Sequence, residues 1–381
     1  MPILSNSTQN ADVIIIGAGI AGASVAAFLA SQKKVVLLEQ ESQAGYHSTG
    51  RSAAIFTEVY GNAVIRALTT ASRDYYQNPP QGFSESPLWH GLETYLIGTN
   101  RQSAAVENLY QTVKQNTPEV ELVSGQDYEK LVPLAIQGSV HSALVDRNSK
   151  ALDVDAIHQG FLKIVEKTGG RLILNAGVTS LTLTDGQWSI ETPAGNWKAP
   201  IVVNAAGAWA DAIAQMAGAK PLGLTPKRRS VCLVDLPQGT DTTNWPMTVD
   251  VDEQFYFKPE SGQLLCSPAD ETPIAPCDVQ PEELDIAIGI DRVQKILDLE
   301  VRKVNAKWAG LRTFAPDKTP VVGFDLKLPG FFWLAGQGGY GIQTAPAIAK
   351  TAASLILGHE LPASVTDRGV TAASLSPSRF A

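Results

Sequence analysis

The sequence predicts an α/β protein, with one unit built on a parallel sheet and a second, α+β unit built on an antiparallel sheet. Three observations carry that prediction. The run Val13-Ile14-Ile15-Ile16 leads directly into a glycine-rich turn and an alanine-rich segment. The same arrangement returns near the other end, where Phe331-Phe332-Trp333-Leu334 precedes GQGGYGIQT and APAIAKTAASLIL. Between them, KRRSVCLVDL, EQFYFKP and GQLLCS have the composition of strands. The 381 residues are enough for about two domains at roughly 100–200 residues each.

Taken in order, the first unit is a nucleotide cradle. Residues 13–16 read as a strand buried on both faces. Gly17-Ala18-Gly19-Ile20-Ala21-Gly22 matches GxGxxG and opens a helix through ASVAAFLASQ, and Val35-Val36-Leu37-Leu38 forms a second strand ending at Glu39. The first glycine permits the tight turn, the second lets backbone approach a pyrophosphate, and the third lets helix and strand pack closely. The free amides of the helix start then face the phosphates. Glu39 stands where an acid binds a ribose hydroxyl, which selects FAD or NAD over a 2′-phosphorylated dinucleotide. Further on, Asp153 or Asp155 caps a helix running to about Lys167. The strands RLIL, VTSLTLT and WSIET follow, with a tight turn at Asp185-Gly186. Ile201-Val202-Val203-Asn204 is another buried strand, turning through Ala205-Ala206-Gly207-Ala208 into a helix.

Composition excludes several classes. The formal charge is −8, from 30 basic and 38 acidic residues, and no basic block supplies a nucleic-acid footprint. Three cysteines, Cys232, Cys266 and Cys277, show no CxxC spacing, and five histidines are scattered, so neither a disulfide framework nor a metal site is expected. MPILSNSTQNAD lacks the pattern of a secretory signal, and no stretch approaches the ~18 apolar residues of a membrane span. A cytoplasmic protein is expected.

GYHSTGRSAA (45–54) decides between the dinucleotides. A nicotinamide enzyme of this type continues into another βαβ repeat, whereas these small residues let the backbone approach something flat or anionic. With GAGIAGAS (17–24), PKRRS (226–230), FYFKP (255–259), WAGLR (308–312) and QGGYGIQT (337–344) in order, the chain resembles the glycine/D-amino-acid oxidase (DAO-type) family of FAD-dependent oxidoreductases. Within it, the resemblance is nearest to the bacterial D-arginine dehydrogenase branch.

The resemblance implies a Rossmann-like FAD-binding domain of the glutathione-reductase type, assembled from 1–80, 148–224 and 309–372. A substrate domain of 81–147 and 225–308 caps it, and 373–381 forms an extended tail. It places non-covalent FAD against Gly17, Gly19, Ala21, Gly22, Glu39, Gln40, Ser48, Thr49, Gly50, Arg51, Ser52, Ala53, Ala54 and Val178. The C-terminal turn adds Gly338, Gly339, Tyr340, Gly341, Ile342 and Gln343. The implied reaction is oxidative deamination of a D-amino acid: hydride passes from the α-carbon to flavin, and the imino acid hydrolyses to a 2-oxo acid and ammonia. Alternatives are an oxidase of a secondary amine or imino acid, or an electron-transfer subunit with no substrate of its own. A small amino acid or amine and an unidentified electron acceptor are the expected partners, with the protein a monomer or small homo-oligomer.

An amino acid's carboxylate calls for an arginine fork. Arg312 corresponds to the family's carboxylate-binding position. Of Arg228 and Arg229, neighbours on a strand, one reaches the site, and spacing selects Arg229. Tyr60 and Tyr256 match substrate-contacting tyrosines, and His47 reads as a hydrogen-bonding group beside the cofactor. Ile55 stands where the D-arginine branch has a histidine, and the acid for a cationic side chain falls on Thr94 or Glu93. The lysine that activates oxygen in the sarcosine-oxidase branch falls on Leu264, which favours a dehydrogenase. Gly310 replaces that branch's flavin-linking cysteine.

Overall fold

A computed structural model describes residues 8–380. Residues 1–7, most of the stretch read for a leader, and residue 381 lie outside it. The central element is a six-stranded sheet in the order Arg171–Ile173, Val35–Leu38, Val13–Ile16, Ile201–Asn204, Phe331–Ala335, Val321–Phe324. All pairings are parallel except the last. Both faces are buried, which is why these strands are continuous apolar runs. Val13, Ile15, Leu37, Val203 and Phe332 face a layer of helices that includes Ile20–Leu29, Val154–Lys167 and Gly341–Leu357. Ile14, Val36, Val202 and Trp333 face a four-stranded sheet and the helix Ala210–Met216, packing with Trp188 and Trp197. Burying each such side chain is worth about 1.5–3 kcal/mol.

The helix expected to run to Gln32 ends at Leu29, and Lys33 then donates to the Leu29 carbonyl as the chain turns into the next strand. Asp153 is the N-cap of the helix Val154–Lys167, accepting from the Ala156 amide at 2.9 Å. Asp185 and Gly186 both adopt positive φ, 49° and 74°, the two-residue hairpin conformation that matches strand twist.

A nine-stranded sheet forms the second layer system. Its neighbours run antiparallel at every junction but one. At that junction Met247–Asp250 lies parallel to Thr94–Gly98, with Met247 opposite Thr94 and Val249 opposite Leu96. The longest pair joins Thr225–Val234 to Val304–Phe314, an unbroken strand in which Gly310 is opposite Arg229 and Arg312 opposite Lys227. Side chains alternate along each strand, so register divides the sheet into two faces. Arg229, Val231, Val249, Tyr256 and Arg312 share one. Cys232, Phe257, Leu264 and Cys266 share the other and pack with Ile286 and Val293 of the helix Glu283–Gln294.

Two expectations need correction. The boundary drawn between 308 and 309 cuts through the strand Val304–Phe314, so residues 309–314 belong to the nine-stranded sheet. The tail expected over 373–381 is not extended across its described residues, 373–380. Ala372–Leu375 is a short helix and Pro377–Phe380 a 3-10 turn. Leu375 is buried, and Arg379 pairs with Asp317 while donating to the Thr319 and Pro320 carbonyls. Segments this short carry no helical periodicity, so tertiary contacts fix them.

Candidate active site

The turns after Val13–Ile16 and Phe331–Ala335 open into one cavity of about 370 Å3, at the carboxyl ends of the parallel strands where such sheets bind ligands. Its walls are held apart by missing side chains. A Cβ on Gly17, whose φ is +98°, would lie 2.6 Å from the Ala205 carbonyl oxygen, and one on Gly22 would lie 1.8 Å from that of Gly17. Gly19, the N-cap of the helix Ile20–Leu29, supplies no side-chain cap. Thr49 Oγ1 accepts from the Ile20 amide at 3.0 Å, and Glu39 Oε2 accepts from the Ala18 amide at 2.8 Å. Behind the turn, the buried His158 donates from Nε2 to the Ala18 carbonyl at 2.8 Å, and burial lowers its pKa. At the opposite end the helix Gly341–Leu357 also starts without a side-chain cap. There Gln337 Nε2, a buried donor, has no hydrogen-bond partner among the described residues.

These residues fit FAD. A helix start suits the pyrophosphate, Glu39 stands at the ribose end, and the orphaned Gln337 amide and second helix start await an acceptor-rich group. Of the residues expected to hold it, Gly17, Gly19, Ala21, Glu39, Gln40, Ser48, Thr49, Arg51, Ser52, Ala53, Val178, Gly338, Gly339, Gly341 and Ile342 line the cavity. Ala54 and Gln343 line an adjoining chamber. Gly22, Gly50 and Tyr340 line neither. The two glycines pack backbone against backbone, and the Tyr340 ring lies against Tyr60 and Phe314.

The polar groups of residues 45–54 largely secure the loop itself. Ser48 donates to the Leu311 carbonyl at 2.6 Å; Arg51 donates to the Val279 and Ala309 carbonyls and pairs with Asp278. His47 lines the cavity, bonds Glu41 at 2.9 Å and packs on Trp209.

The chamber, about 70 Å3, shares Ser52, Ala53, Arg229, Tyr256, Arg312, Gly339 and Ile342 with the cavity. All four residues expected to contact substrate line it. Arg229 is held by the Asp270 carbonyl at 2.9 Å and Glu271 at 3.3 Å, with Tyr256 beneath its guanidinium. Arg312 donates to the Tyr60 hydroxyl at 3.3 Å, the one hydrogen bond of its guanidinium among the described residues. Burial raises the Tyr60 pKa, with Arg312 pulling it back, so the phenol is neutral at neutral pH. Arg228 points to the opposite face and pairs with Asp270, Glu282 and Asp285.

Ile55 and Thr94 line the chamber. Glu93 instead pairs with Arg147 at 3.0 Å. Leu264 lies in the core on the wrong face of the sheet, so the oxygen-activating position does not fall there. Among the described residues no lysine lines either space; Lys258 pairs with Glu260. Gly310 lines the cavity, where a Cβ would sit 3.5 Å from that of Arg51. Sequence reasoning missed Gln337, His158, Glu253 and the chamber wall of Leu96, Met247 and Val249. The alternation of Thr94 with Leu96 and Met247 with Val249 was available, but the parallel pairing that joins them was not.

A glycine-walled cavity of this shape defines a dinucleotide-binding protein with a small-molecule chamber at the reactive end. A family model described as FAD dependent oxidoreductase (DAO) matches residues 12–355. The chain belongs to that family, and FAD is its cofactor. Mitochondrial dimethylglycine dehydrogenase of Homo sapiens is 26% identical over 393 residues, covering 95% of this chain and 44% of that protein. The chain thus spans less than half the length of the dimethylglycine dehydrogenases it matches. Among solved structures, L-alpha-glycerophosphate oxidase from Mycoplasma pneumoniae with FAD bound superposes with a TM-score of 0.81 at 20% identity, covering 92% of this chain and 95% of that one. Glycine oxidase from Geobacillus kaustophilus gives 0.81 at 19% identity, covering 93% and 96%. No group of three metal-ligating side chains occurs among the described residues, and no helix there is long and apolar enough to cross a membrane.

Proposed function

We propose that the protein oxidises the α-carbon–nitrogen bond of a D-amino acid, giving an imino acid that hydrolyses to a 2-oxo acid and ammonia. The observation that carries this reading is the arginine pair. Arg229 and Arg312 reach the junction of cavity and chamber from adjacent strands, and Arg312 has no carboxylate partner among the described residues. A half-buried guanidinium left this way is poised for a substrate carboxylate, which it grips with two parallel hydrogen bonds. Bound FAD supplies the hydride acceptor. The chain's own residues bind and orient: the arginines fix the carboxylate, while Tyr60 and Tyr256 flank it. The apolar chamber wall excludes water, so positioning supplies most of the rate. The D configuration is supported by the motifs shared with the D-arginine dehydrogenase branch.

A dehydrogenase passing electrons to an acceptor other than oxygen is supported by walls that lack lysine. Non-covalent flavin is supported by Gly310 and by the absence of cysteine from those walls. The three cysteines form no disulfide, in keeping with a reducing, cytoplasmic setting. Similarity to dimethylglycine dehydrogenase favours one alternative, oxidation of an N-methylated or other secondary amine. The test is the flavin spectrum of the FAD-loaded protein, followed anaerobically as D- and L-amino acids and N-methyl amines are added in turn. Bleaching by D-amino acids is the expected result. Bleaching by N-methyl amines alone establishes the alternative, and no bleaching by any of them defeats both.

A further inference from the structure

The chamber contains an unpaired polar atom that the reaction does not use. Thr94 is 1% exposed, its Oγ1 has no hydrogen-bond partner among the described residues, and it lines the wall farthest along the sheet from Arg312. Around it the chamber is lined by Ile55, Val59, Leu96, Met247 and Val249. A buried hydroxyl with no partner costs about 1–3 kcal/mol, and a ligand that supplies the partner recovers that cost. The parity of the sheet explains its aim. Thr94 lies beside Met247 on the face that carries Val249, Tyr256 and Arg229, while Tyr95 and Ile97 point into the opposite core.

From this wall we infer that the chamber receives a short, uncharged side chain whose hydroxyl or similar group pairs with Thr94 Oγ1. The inference rests on the proposed amino-acid reading and deepens it. Size sets the first limit. About 70 Å3, against roughly 10–15 Å3 for one water on the same measure, holds about five to seven water-sized groups. Charge sets the second, because Asp146, the cross-strand neighbour of Thr94, does not line the chamber. Glu93 is turned away to Arg147 and Tyr95, and Asp146, behind Thr57, accepts from the Thr57 hydroxyl at 2.6 Å. Burial raises the Asp146 pKa, although its bonds from Thr57 and Asn148 oppose this. Glu253 lies at the exposed rim, 3.4 Å from the Tyr60 hydroxyl. The cationic side chains handled by the D-arginine branch therefore find no acid lining the Thr94 end, and Glu253, the one carboxylate among the residues lining the chamber, stands at its rim.

Threonine and valine have nearly the same shape and differ in one hydroxyl, so the test compares them, in both configurations, on wild type and Thr94→Val. Flavin reduction gives kcat/KM. Wild type is expected to favour threonine over valine by about tenfold or more in the configuration it accepts, and Thr94→Val to erase or invert that ratio. Arginine and lysine are expected to be poorer still. Melting of the flavin-loaded variants provides a readout independent of turnover, and Thr94→Val is expected to melt at or above the wild-type temperature because it removes an unpaired buried hydroxyl. An unchanged threonine/valine ratio, a preference for arginine, or a lower melting temperature overturns the inference while leaving the amino-acid reading intact. Reduction by no amino acid at all overturns both.

Discussion

The cavity and the chamber are made of different materials. At its turns the cavity is walled by backbone: glycines whose added Cβ would strike a carbonyl, alanines, and the starts of two helices. The chamber is walled by side chains drawn from several strands and a loop, two arginines among them. A backbone wall admits one shape and fails when a side chain intrudes. A side-chain wall can change its chemistry one residue at a time while the sheet behind it stays in place. Such a division lets one fold keep its cofactor while its substrate varies.

The sharpest way to break the comparison is Gly22→Val. Its Cβ would lie 1.8 Å from the Gly17 carbonyl oxygen, so the turn cannot keep its course. The expected outcome is protein purified without flavin and with a lowered melting temperature; a variant that retains flavin would show that the wall yields. Arg312→Met acts on the chamber instead. Flavin content should be unchanged while kcat/KM falls by roughly 2–5 kcal/mol, about thirtyfold to several thousandfold. Arg312→Lys should recover little of the loss, since an ammonium cannot form the two-pronged contact.

His158→Asn probes the joint behind the glycine turn and has the smallest expected effect. Burial lowers the folded pKa of His158, with its bond to the Ala18 carbonyl, Asp155 and Glu39 opposing, so the unfolded chain takes up a proton first, near pH ~6.5. The histidine's share of stability is therefore intact above that pH and is lost as pH falls through the window between the unfolded and folded values. Melting curves from about pH 8 to about pH 5 should show a shallower decline for the variant, whose amide does not titrate.

The same division governs what was legible in the sequence. Buried parallel strands are written as unbroken apolar runs, and Gly17, Gly19 and Gly22 announce a turn that tolerates nothing larger. The six-stranded sheet and most of the cavity follow from local patterns of that kind. The arginine choice was legible in part: alternation puts Arg228 and Arg229 on opposite faces, and spacing within the resembled family selects Arg229. The chamber was not, because it depends on register between strands far apart in the chain. Nothing near Thr94 shows that Met247 will lie beside it, and Leu264 looks suitable for the oxygen-activating position until pairing puts it on the other face. The end of the chain was misread for a related reason. Arg379 is fixed by Asp317 and by the Thr319 carbonyl, 60 positions away, and no local pattern carries that information.

The order of strands in the central sheet has a consequence for how the protein is made. Val13–Ile16 gains its neighbour on one side early, from Val35–Leu38, but its other neighbour only with Ile201–Asn204. The far wall of the cavity comes later still, with Gln337, Gly338, Gly339 and the helix from Gly341. A ribosome adding about 5–20 residues per second therefore spends some tens of seconds between the first glycine turn and the last. Throughout that interval flavin has no complete pocket to enter, and for much of it an apolar strand edge stands open. Yield in a foreign host should accordingly depend on chaperone capacity during synthesis, with flavin supply mattering only once translation is nearly finished.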